Sequence, residues 1–106
     1  MISEHLAQSE GMVLIVDQVS ADNISVSANS ATSTTAITAT KTGYTPIGVV
    51  GWFITSASSS GTNANQVVPN LLRVTGSQVS YVLRNVGSSA SKVKLTVYVL
   101  YRKNSD

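Results

Sequence analysis

The chain has no cysteine, one histidine, two prolines and six aromatic residues among its 106 positions. Without thiols there is neither a disulfide framework nor a thiolate metal site. The single histidine, His5, leaves too few donors for a zinc site, which needs three or four fixed ligands. No metal and no cofactor is therefore expected. Acidic residues are missing from Asn23 to Ser105, a stretch that holds all seven Lys and Arg. Glycoside cleavage needs two carboxylates flanking a cleft. Glu4, Glu10, Asp17 and Asp22 all lie near the N-terminus, ahead of the strands and loops that would form one. The longest apolar run, Ile47 to Ile54 with its glycines, is far short of the roughly 20 residues of a membrane-spanning helix, so no membrane insertion is expected. The start, Met1 to Glu10, carries two acids and neither the basic nor the apolar part of a signal peptide. That reads as a protein made in the cytoplasm.

Other catalytic patterns are missing too. A Ser-His-Asp constellation would have to join His5 to Asp17 or Asp22 and to one of seventeen serines, and no Gly-x-Ser-x-Gly elbow is present. Gly43 to Gly48 has the spacing of a phosphate loop, but Val49-Val50 stands where Lys-Ser/Thr is required. Asn23-Ile24-Ser25 fits a glycosylation acceptor, a triplet common by chance. No catalytic residue is assigned, and the chain is not expected to be an enzyme. The bases are too scattered for a nucleic-acid surface, although the net charge is +2.

What is present is a strand-forming composition. Ser and Thr total 28 and Val 15, the latter a residue enriched in strands. Charged residues are 11% of the chain, about half the usual share, so solubility rests on hydroxyls and amides. A chain of this length is one domain with a thin core. Residues 1–11 have no clear period and read as a short helix or a loose arm. Strands are expected at 12–19, 23–28, 32–40, 47–55, 67–75, 78–86 and 92–103. Turns are expected at Ala21-Asp22, Asn29-Ser30, 41–46 and Gly76-Ser77, and loops at 56–66 and 87–91. The low-complexity loop 56–66 is expected to be mobile. Seven to eight strands with turns every eight to twelve residues predict an all-β antiparallel sandwich, of jelly-roll or immunoglobulin-like kind. Residues 1–22 form an N-terminal arm and first strand, a possible docking segment, and 23–106 the head domain.

Strict alternation places Val49 and Phe53 on one face of strand 47–55 and Val50, Trp52 and Ile54 on the other. Both faces are thus apolar. Strand 92–103 has an unbroken apolar row from Val93 to Tyr101 and a second row containing Tyr98 and Leu100. Three such two-faced strands, counting Met12 to Val16, exceed what one thin core absorbs, and subunit contacts are the natural place for the surplus. Val50, Trp52, Ile54, Tyr98 and Leu100 are the candidate interface residues. Sugar sites combine an exposed aromatic with short polar groups. Trp52, Tyr44, Tyr81 and Tyr98 are candidate aromatics, and the ligand candidates are Tyr44, Ser59, Thr62, Asn63, Asn65, Ser88 and Ser89.

Three blocks carry a family resemblance: 41–52 (Lys-Thr-Gly-Tyr-Thr-Pro-Ile-Gly-Val-Val-Gly-Trp), 82–90 (Val-Leu-Arg-Asn-Val-Gly-Ser-Ser-Ala) and 95–103 (Leu-Thr-Val-Tyr-Val-Leu-Tyr-Arg-Lys). Together they make the chain resemble small bacteriophage tail proteins and related prophage proteins. The resemblance implies a β-sandwich head, usually a homotrimer, at the tip of a tail fibre or baseplate, adhering to a host surface glycan. A virion location and contacts with other phage tail or capsid proteins follow from the same resemblance. It supplies no ligand-binding motif. The alternative with the same sequence features is a non-adhesive structural subunit, a capsid decoration or tail-assembly protein.

Overall fold

The computed structural model describes residues 13–105. The expected arm at 1–11, with His5, Glu4 and Glu10, lies outside the described residues. Seven strands follow in order: β1 (Leu14–Val26), β2 (Ser30–Ala31), β3 (Thr35–Thr38), β4 (Tyr44–Ser56), β5 (Val67–Thr75), β6 (Gln78–Asn85) and β7 (Ser91–Lys103). A single 3-10 turn, Ala64–Gln66, precedes β5. All pairings are antiparallel. One sheet runs β1-β7-β4; in the other, β6 is flanked by β2 and β3 on one side and by β5 on the other. The protein is an all-β sandwich, 55 Å long and 26 × 21 Å across.

The core lies between the sheets. Val93, Leu95, Val97, Val99 and Tyr101 of β7 meet Val79, Tyr81 and Leu83 of β6, all buried. The period-two pattern of both strands creates this, because alternate side chains share a face. Each fully buried Val or Leu contributes roughly 1.5–3 kcal/mol. Tyr81 is therefore a core residue and not a ligand platform.

Two strands depart from simple alternation. The expected turn at Ala21-Asp22 is instead a bulge inside β1, between Ala21 and Ile24. Asn23 adopts φ +54 there, a left-handed conformation that Asn tolerates. Pairing with β7 continues on both sides of it, so the first strand belongs to the sandwich through residue 22 and beyond. In β4, bulges fall between Pro46 and Gly48 and between Val49 and Gly51. Two residues then oppose one on the partner strand: Ile47 and Gly48 face Leu100, and Val50 and Gly51 face Tyr98. The inner row becomes Pro46, Val49, Trp52 and Ile54, and Phe53 falls on the outer face opposite Thr96. This corrects the expected faces: Val49 and Phe53 point opposite ways because an extra residue stands between them.

Candidate functional site

Register divides the sandwich into two ends. Val26, Ser56 and Ser91 share one end, and Leu14, Tyr44 and Lys103 share the other. The loops at 57–66 and 86–90 meet at the Ser91 end. Asn85 organises them. It continues the apolar row of Val79, Tyr81 and Leu83 and is fully buried. A buried amide has to be hydrogen-bonded to be tolerated. Its Nδ2 donates to the Val26 carbonyl at 3.1 Å, the Ser89 carbonyl at 2.8 Å and Ser91 Oγ at 3.1 Å. Its Oδ1 accepts from the Gly87 N–H at 2.8 Å. The Ser91 hydroxyl then donates to the Asn63 carbonyl at 3.0 Å, and Asn63 Nδ2 donates to the Ala90 carbonyl at 3.1 Å.

Loop 56–66 is tied down further. Thr62 and Lys92 exchange backbone hydrogen bonds at 3.1 Å, and the Ala57 N–H donates to the Lys92 carbonyl at 3.1 Å. The β1 bulge holds its other side: Ser58 N–H donates to Asp22 Oδ1 at 3.0 Å and Ser59 N–H to Asn23 Oδ1 at 3.4 Å. The Ser58 hydroxyl and N–H hold the Asp22 carboxyl below the usual carboxylate range. Gly61 packs against the loop's own backbone, and a β-carbon there would stand 2.6 Å from the Ala57 carbonyl oxygen. The loop expected to be mobile is thus held by hydrogen bonds on both sides. Its small residues allow tight turns and backbone contact, and the contacts anchor it.

Six of the seven ligand candidates, Ser59, Thr62, Asn63, Asn65, Ser88 and Ser89, lie in these two loops, and all six are exposed. They form a surface of hydroxyls and amides, with the exposed Asp22 carboxylate at its edge beside Ser58. Tyr44 is separated from them. It lies at the opposite end, in a cleft of about 310 Å³ lined with Lys41, Thr40, Thr42, Pro46 and Ser77. Lys41 Nζ pairs there with Asp17 Oδ2 at 3.1 Å. The Asp17 carboxyl is held low by the Gln18 N–H and then by Lys41.

The interface candidates also split. Tyr98 and Leu100 share the outer face of the β1-β7-β4 sheet, half-buried, with Val50 beside them at its bulge and 55% exposed. Ile54 packs partly on the core. Trp52 has an inner-face register opposite Val97 yet is 46% exposed at the open edge of β4. Sequence reasoning missed Phe53, 6.0 Å from Tyr98 between ring centroids, because the bulges hid its face. It also missed Asn85, although an amide at the end of an alternating Val-Tyr-Leu row is a readable signal. No group of three or more His, Cys, Asp or Glu able to hold a metal occurs among the described residues. No helix among them is long and apolar enough to cross a membrane. Comparison with family models, curated proteins and solved structures finds no match to this chain.

Proposed function

We propose that this chain is a bacteriophage adhesion head, a homotrimer at the tip of a tail fibre or baseplate that binds a host-surface glycan through the loops at its Ser91 end. The observation that carries this reading is the opposition of the two ends. The two limits of the described chain meet at the Lys103 end: the Lys103 N–H donates to the Val13 carbonyl at 2.9 Å and the Asn104 N–H to the Gly43 carbonyl at 2.8 Å. The anchored Ser/Thr/Asn loops stand at the far end of a 55 Å body. A subunit held at its Lys103 end presents those loops outward, with exposed short polar groups suited to hydroxyl-rich ligands. Anchoring them in advance lowers the ordering cost of binding.

The test is a glycan array probed with the labelled protein beside an Asn63→Ala/Ser88→Ala/Ser89→Ala variant. Signal in the parent and its loss in the variant is expected. An array without hits removes the adhesion reading, and full binding by the variant moves the site elsewhere. The second reading, a non-adhesive capsid or tail-assembly subunit, is favoured by the exposed apolar side chains of the β1-β7-β4 sheet, which owe nothing to the loops. Cosedimentation with assembled capsids or tails, without binding to host cells, would select it.

A further inference from the structure

The charges of this body are sorted along its length. Among the described residues all seven Lys and Arg stand against two acids, Asp17 and Asp22. Lys41, Arg73, Arg102, Lys103 and Asp17 belong to the Lys103 half. The chain's other acids, Glu4, Glu10 and Asp106, are joined to the body at that same end, where Val13 and Asn104 are held. The Ser91 half keeps Arg84, Lys92 and Lys94 against Asp22.

Two of these bases lie beside the ligand candidates. The chain leaves β4 at Ser56, opposite Val93. It reaches Asp22 and Asn23 of β1 through the Ser58 and Ser59 N–H groups, then returns to Thr62, opposite Lys92. Because β7 lies between β1 and β4, residues 57–61 cross β7 at the level of Lys92 and Lys94. Both lysines alternate with the buried Val93 and Leu95, so they project from the face turned away from the core. Lys94 acts on the Asp22 carboxylate, whose Oδ1 already accepts from the Ser58 and Asn23 N–H groups. Lys92 is fixed at its backbone to Thr62. The ion pair among the described residues, Lys41 with Asp17, is at the other end.

We propose that the glycan bound at the Ser91 end is anionic, with Lys92 meeting its carboxylate, phosphate or sulfate groups beside Thr62; this names the ligand class of the adhesion site above and rests on that reading. Hydroxyls and amides suit neutral and acidic sugars alike, and it is the charge that separates the two. Three bases against one acid give this end a field that draws an anionic chain toward the loops. One exposed ammonium–anion contact is worth up to about fivefold in affinity. A charged polymer repeats that contact from subunit to subunit, and linked contacts multiply.

The glycan array, read by chemical class, tests this on the full chain. Signal is expected on glycans bearing uronic acid, phosphate or sulfate and not on their neutral counterparts, and the three printed classes tell which anion is taken. It is expected to fall several-fold between about 0.05 M and about 0.5 M salt. Lys92→Gln is expected to weaken binding up to about fivefold, and Lys92→Arg, which keeps the charge, to retain it. Asp22→Asn keeps an acceptor for the Ser58 N–H and removes a repelling charge, so it is expected to bind more tightly. A purely structural role for these residues would instead weaken both Lys92→Gln and Asp22→Asn. Circular dichroism of each variant checks that it is folded. Equal signal on neutral counterparts, binding indifferent to salt, or a folded Lys92→Gln that binds like the parent would each overturn the inference and leave adhesion standing. An array without any hit removes the adhesion reading and this inference with it.

Discussion

The buried amide of Asn85 donates to the hydroxyl of Ser91 at 3.1 Å, and through that hydroxyl the end of one sheet grips the loop that leaves the other. Removing the amide takes a partner from the Val26 carbonyl and the Ser91 hydroxyl in the interior, and from the part-buried Ser89 carbonyl and Gly87 N–H. Each unsatisfied buried group costs about 1–3 kcal/mol, less what water recovers. Asn85→Ala is therefore expected to destabilise by about 3 kcal/mol in urea denaturation, and Ser91→Ala by about 1 kcal/mol. Asn85→Asp places a carboxylate oxygen against acceptors and is expected to be worse still near neutral pH, with partial recovery on acidification.

Glycines separate by what surrounds them. At Gly61 an added methyl meets the Ala57 backbone, which cannot step aside. At Gly51 it meets the Tyr98 ring at 3.6 Å, an ordinary contact. Gly61→Ala is expected to cost about 2–3 kcal/mol and Gly51→Ala less than about 1 kcal/mol. Thermal melts of the two variants side by side would check the order.

Gln66 and Gly87 form a coupled pair. A β-carbon at Gly87 would overlap the Gln66 side-chain amide, whose Oε1 is buried without a hydrogen-bond partner among the described residues. Gly87→Ala alone is expected to destabilise, and Gln66→Ala to relieve part of that loss. A double-mutant cycle should therefore return a favourable coupling of about 1 kcal/mol or more. Gln66→Met, which keeps the bulk and removes the orphan oxygen, is expected to be neutral or stabilising.

Stability should fall toward both pH extremes for different reasons. Asp17 and Asp22 titrate below their ordinary value of 3.8 in the folded chain. The unfolded chain takes up their protons first as pH drops, so their contribution is present above about 3.8 and is lost as pH falls through the lower folded values. Burial raises Tyr81 and Tyr101 above 10.0. The unfolded chain loses those protons first as pH rises, so stability declines above pH 10.0. Urea midpoints across pH should flatten on the acid side for an Asp17→Asn/Asp22→Asn variant, which at pH 7 already lacks the contribution that the parent loses in acid. An unaltered acid slope would contradict the assignment.

Much of the sandwich was legible because β6 and β7 obey a strict period of two over a buried face. Val79, Tyr81, Leu83 and the row from Val93 to Tyr101 follow from that alone. The hairpin at Gly76, with φ +62, was equally readable, since glycine reaches that conformation freely. Register was lost where a bulge intervened. Ile47-Gly48 and Val50-Gly51 each insert a residue, and alternation counted through them assigns Val49, Trp52 and Phe53 wrongly relative to one another. The gathering of loops 56–66 and 86–91 was also out of reach. It depends on contacts such as Asn63 to Ala90, made across a fold whose strand order no local pattern specifies.

The place of β7 has a consequence for how the molecule comes into being. The strand at the middle of the first sheet is the last of the seven to leave the ribosome. Until residues 91–103 emerge, β1 and β4 have no partner in that sheet, and the apolar sides of both stay wet. Closing such distant pairings is slow, and the waiting chain is exposed to aggregation in the interval. Half of the sandwich therefore cannot begin to form until that strand arrives, and the newborn chain depends on a late strand sliding between two that have been waiting for it.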